Sequence, residues 1–89
     1  MPSAMDQLPN LGPKSQAMLM DAGITSTDQL LRLGAVAAFA RVKKSHPKAS
    51  LNLLWALEGA LTGLHWQEVA REHRTSLLLA LEQHERHGA

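Results

Sequence analysis

Residues 10–15, Asn10-Leu11-Gly12-Pro13-Lys14-Ser15, bear most directly on chemistry in this chain. Glycine followed by proline reads as a tight turn feeding a helix. Gly12 permits backbone angles closed to other residues, and Pro13 fits the first helical turn, where a missing N–H is tolerated. Gly23 can take the left-handed position that closes the helix. A start of this kind leaves backbone N–H groups free at the positive end of the helix dipole, which suits an anion such as phosphate. Lys14 is the candidate counter-charge and Ser15 a further donor. The same residues also read as ordinary punctuation, a good helix start with no ligand.

A second candidate is the basic stretch holding Arg41, Lys43, Lys44 and Lys48. The net charge is only +1, yet no acidic residue stands between Asp28 and Glu58. A nucleic-acid backbone or an acidic partner would suit such a patch. The plainer reading is a solvated helix end, where cations favour the negative pole of the dipole.

Other reactive side chains lead nowhere catalytic. Glu58 lies in an apolar run with no second carboxylate or histidine at helical spacing, so it reads as the one polar edge of a helix. His84 and His87 share a face, but a metal needs three or four ligands and only Glu85 and His73 are near in sequence. The chain has no cysteine, so thiolate sites and disulfides do not arise. No catalytic residue, metal site or cofactor is expected. Met1, Met5, Met18 and Met20 could form a sticky patch for a partner. Met18 and Met20 cannot both face inward with Leu19, so one of them is the better candidate.

These residues need an all-α scaffold of about five short helices. Residues 1–7 form a loose start with a short turn around Met5. A first helix covers Pro13 to Ala22, with Leu19 and Ala22 inward. Thr25 caps a second helix and Asp28 reaches back to it; that helix ends at Gly34. Ala35 to Lys44 makes a third, rich in alanine. Pro47 forces a loop, and Ser50 caps the next helix. Leu51 to about Thr62 is apolar nearly all round, the mark of a buried central helix. Trp55 and Leu54 should be deeply buried there, and Ala56, Gly59, Ala60 and Gly63 allow another helix close. Gly63 stops it, and Trp66 anchors the following connection beside His65. A last helix runs roughly from Ala70 to Gln83, with Leu77, Leu78 and Leu81 inward, and residues 84–89 fray as a flexible tail.

The 89 residues make one domain. Hydrophobic residues are 45% of the chain and aromatics 3%, so aliphatic and small side chains must fill the core. The start lacks the charged and apolar runs of a signal peptide. The most apolar segment is too short to span a bilayer. The expectation is a soluble, cytoplasmic protein without membrane contact.

LPNLGPKS, DAGIT, LGAVAAFARVK, SLNLLWALEGALTG and the pair His65-Trp66 together resemble the C-terminal domain of the TfoX/Sxy family, bacterial regulators of natural transformation. The likeness covers about Leu8 to Leu81, in a domain placed at residues 8–83. It implies a helical fold with a helix-hairpin-helix-like start and a part in competence regulation. The family typically carries a further N-terminal domain, and this chain reads as a stand-alone copy without it. Nucleic-acid-binding hairpins have glycine where Asn10 stands and a small residue where Gln16 stands. The resulting expectation is a non-catalytic regulatory or adaptor module. Its partner is nucleic acid, gripped weakly and without sequence preference by Asn10, Gly12, Lys14, Ser15, Arg41, Lys43, Lys44 and Lys48. The alternative is a protein–protein or self-association module, bound to a regulatory protein and not to nucleic acid.

Overall fold

The structure, a computed structural model, describes residues 11–87, with His87 described by its backbone only. The turn around Met5, Leu8, Pro9 and Asn10 therefore lie outside the described residues. Five helices and no strands are found within them.

Helix α1 spans Pro13–Asp21, with Gly12 as its N-cap. Gly12 sits at φ −84° and ψ 180°, extended backbone that any residue adopts. The turn therefore does not draw on glycine's conformational freedom, contrary to the sequence reading. Pro13 accounts for it, because a proline drives the residue before it into the extended region. Gln16 closes the turn: its amide N–H donates to the Gly12 carbonyl at 3.0 Å and its Nε2 to the Leu11 carbonyl at 3.0 Å. Leu19 is fully buried, and the chain leaves the helix to bury Ile24 as well.

Helix α2 spans Thr27–Ser45. Its cap is displaced by one residue from the expected Thr25–Asp28 pair. The Ser26 hydroxyl accepts from the Gln29 N–H at 3.2 Å, and Gln29 Oε1 accepts from the Thr25 N–H at 2.7 Å. Gln29 Nε2 also donates to the Gly23 carbonyl. The longer glutamine can reach both the cap and the preceding turn, which Asp28 cannot. Gly34 interrupts α2 at φ 81° and ψ 166°, a region that side chains scarcely enter. The two helices expected on either side of Gly34 are thus present, as the two parts of α2 on either side of this break.

Helix α3, Leu51–Thr62, is the centre of the fold. It packs against both α2 and α4. Leu54 and Leu57 are fully buried and Trp55 is 4% exposed. Ala56, Gly59 and Ala60 are buried with them, and these small residues let the neighbouring helices approach. Ser50 is the N-cap, but its side chain makes no capping hydrogen bond. Gly63 closes the helix in the left-handed conformation, its N–H on the Gly59 carbonyl.

The expected helix over 70–83 is two helices, α4 (Trp66–Glu72) and α5 (Arg74–His87). The chain bends at His73, whose φ is −118° and ψ 8°. His73 closes α4, its N–H on the Val69 carbonyl, and opens α5, its carbonyl accepting from the Leu77 N–H; among the described residues no backbone hydrogen bond spans the bend from α5 back to α4. His65 caps α4, its Nδ1 accepting from the Gln67 N–H, and its ring stacks on Trp66. α5 continues through His87, past the end expected near Gln83. Val69, Leu77 and Leu81 complete a core in which no polar or charged side chain is buried among the described residues.

Candidate nucleic-acid interface

The first turn of α1 and the first turn of α3 border one open groove of about 510 Å³. Lys14, Ser15 and Met18 come from α1, and Asn52, Leu53 and Ala56 from α3. The loop between α2 and α3 adds His46, Lys48, Ala49 and Ser50, and Trp66 of α4 completes the lining. Lys14, Lys48, Ser15, Ser50 and Asn52 give it a polar, cationic character.

Both helix starts at this groove lack the usual neutralising groups. Neither α1 nor α3 has a side-chain cap or an acidic residue in its first turn. By contrast, α2 has the Ser26 cap with Asp28, and α4 has the His65 cap with Glu68. A helix leaves its first amides without an internal acceptor. In α1 those include the N–H groups of Lys14 and Ser15, since the first ladder bond begins at Gln16. In α3 the first ladder bond runs from Leu53 N–H to the Ser50 carbonyl, leaving the amides of Leu51 and Asn52. Two dipole ends, their free amides and two ammonium groups can neutralise and hydrogen-bond an oxyanion.

His46 ties the groove's two sides together. Its Nε2 lies 3.0 Å from Asp21 Oδ2, joining the end of α1 to the loop that carries Lys48. The sequence reading did not single out His46, Ser50 or Asn52 for the site. The one available signal was the position of Lys48 just before a helix start, which gives the same lysine-and-amide pairing as Lys14.

The other expected site residues separate into two groups. Lys14, Ser15 and Lys48 meet at this groove. Gly12 is exposed at the edge of α1's start, and a side chain there would meet nothing within 4 Å. Arg41, Lys43 and Lys44 line a different groove, against the end of α5. Lys43 also donates to the Pro47 carbonyl at 3.1 Å. Asn10 lies outside the described residues. Glu58 is half-buried; its backbone carbonyl accepts from the Thr62 hydroxyl. No cluster of three or more metal-ligating side chains occurs among the described residues, and no helix is long and apolar enough to cross a membrane.

The molecule is thus a small all-helical domain arranged around one apolar central helix. It belongs to the TfoX C-terminal domain family, whose model matches residues 1–81. It is 32% identical over 72 residues to DNA transformation protein TfoX1 of Aliivibrio fischeri, covering 80% of this chain and 34% of that protein. It is 33% identical over 79 residues to DNA transformation protein TfoX of Haemophilus influenzae, covering 89% of this chain and 36% of that one. The chain thus spans about a third of the length of these curated relatives. Two crystal structures of proteins from Listeria monocytogenes, described as of unknown function and uncharacterized, share the fold. One, a tetragonal form, gives a TM-score of 0.77 at 29% identity, covering 89% of this chain and 96% of that one. The other, a triclinic form, gives 0.78 at 28% identity, covering 96% and 97%.

Proposed function

We propose that this domain is a non-catalytic regulatory module that holds the phosphate backbone of nucleic acid, without reading its sequence, in the groove between the starts of α1 and α3. The observation that carries this reading is the pair of uncapped, acid-free helix starts beside Lys14 and Lys48. Phosphate is the anion such a frame fits, and backbone contacts position a protein without specifying a base. The two named relatives are DNA transformation proteins, and we place this domain in the same process, as a cytoplasmic competence regulator.

The test is a salt titration of duplex-DNA binding by fluorescence anisotropy. Binding should be weak, with Kd roughly 10⁻⁴–10⁻⁶ M at physiological salt, and indifferent to sequence. Lys14→Glu should weaken it for all sequences alike and flatten the salt slope by about 1. No binding at low salt removes the nucleic-acid reading.

A protein-interaction module is the second reading, favoured by Met20 at 59% and Leu31 at 57% exposure. An apolar interface of that kind would persist as salt rises.

A further inference from the structure

A second groove, of about 430 Å³, runs between α2, from Leu33 to Lys44, and the last turn of α5. It shares no lining residue with the groove described above. Leu33, Ala37 and Ala40 give it an apolar lining, and Arg41, Lys43 and Lys44 line it from the same helix. Residues 37, 40, 41 and 44 recur at the spacing of one helical face, so Ala37, Ala40, Arg41 and Lys44 form a single stripe, with Leu33 on the other side of the Gly34 break. The opposite wall contributes His84 and Glu85 from α5.

None of the three cations is within ion-pair distance of a carboxylate among the described residues; the ion pairs there are His46–Asp21, Arg71–Glu72 and Arg86–Glu82. Among the residues lining the groove, three cations face one carboxylate, Glu85, and Lys43 also donates to the Pro47 carbonyl; the excess of positive charge lies next to half-buried small apolar residues. A phosphate backbone would answer the charge but has nothing to place on Leu33, Ala37 and Ala40. A helix with an apolar face answers both. Alanines let its backbone come close, and its side chains at i, i+3 and i+4 anchor along the groove. Glu85 on the far wall makes the complementarity one-sided, since an acid on that flank would be repelled.

We propose that this groove docks an amphipathic helix of a partner protein, apolar on the face it buries and acidic on the flank that lies along α2. The occupant is defined by that asymmetry: carboxylates opposite Arg41, Lys43 and Lys44, and neutral or basic residues opposite Glu85.

The experiment uses the full chain and a display library of amphipathic helices. Leucine is fixed on one face, and Glu, Gln and Lys are free on both flanks. Selected helices should carry Glu on one flank only. Their binding should shift the amide resonances of Ala37, Ala40 and Arg41 in ¹H–¹⁵N spectra. Lys44→Glu, at an exposed position, should weaken them about tenfold, and Ala37→Trp should abolish binding by filling the groove. If Ala37→Trp does not fold, the Lys44→Glu variant and the resonance map decide the matter. The proposal is overturned if no helix is enriched, if Lys or Gln flanks are enriched as strongly as Glu, or if the shifts fall elsewhere. It is equally overturned if duplex DNA alone, or a rise in protein concentration alone, moves those same resonances, because the groove would then belong to nucleic acid or to a second copy.

Discussion

Gly12 is a helix cap without a side chain, and a carboxylate placed there would act in two opposite ways. The backbone at φ −84° and the open space beside it admit a side chain freely. In Gly12→Asp the carboxylate can accept from the Ser15 N–H and face the positive pole of α1. It should stabilise the fold by roughly 0.3–1 kcal/mol. The same carboxylate would occupy the amide and repel phosphate. The expected outcome is a thermal midpoint a few degrees higher together with loss of DNA binding. A lower midpoint would mean the α1 start is already satisfied within the fold, and unchanged binding would separate this end of α1 from nucleic acid. At this scale the sequence was informative about residue types and less so about geometry. Thr25-Ser26-Thr27 offers three neighbouring hydroxyls, and only the reach of Gln29 back to Thr25 decides that Ser26 is the cap. Gly12 misled for a related reason: its neighbour Pro13 dictates the conformation that glycine would merely have allowed.

Gly34 is the opposite case, a glycine whose backbone angles no other residue holds comfortably. At φ 81° and ψ 166°, Gly34→Ala should cost about 1–3 kcal/mol from backbone strain alone, since nothing lies within 4 Å of the added carbon. Chemical denaturation would register it as a lower midpoint with an unchanged slope. A silent substitution would mean the two parts of α2 can join into one straight helix. Helices α1 to α3 were legible because glycine, proline and apolar periodicity all mark their ends. The bend between α4 and α5 was not. Val69, His73, Leu77 and Leu81 fall on a single i, i+4 row that continues across the bend. A bend that leaves the side-chain period in place, with no glycine or proline at it, writes no mark in the sequence.

Trp55 sits on the central helix at 4% exposure, and the whole molecule depends on that helix. Trp55→Ala should cost about 3–5 kcal/mol, against a total of about 5–15 kcal/mol for a folded domain. A melting scan within a few degrees of the parent would displace α3 from the centre. The candidate interface belongs to this scale as well. Lys14 and Lys48 are far apart in the chain and meet only because α1 and the loop before α3 pack together, joined by His46 and Asp21. Local pattern could supply the basic stretch, but it could not divide Lys48 from Arg41, Lys43 and Lys44, which face another groove. With no polar side chain buried among the described residues, the fold rests almost wholly on burying apolar surface. That force fades on cooling, and unfolding a chain of this length raises the heat capacity by about 1.1–1.3 kcal/mol/K. Stability should therefore crest at about 10–20 °C and decline on both sides, so that chilling loosens this domain as warming does.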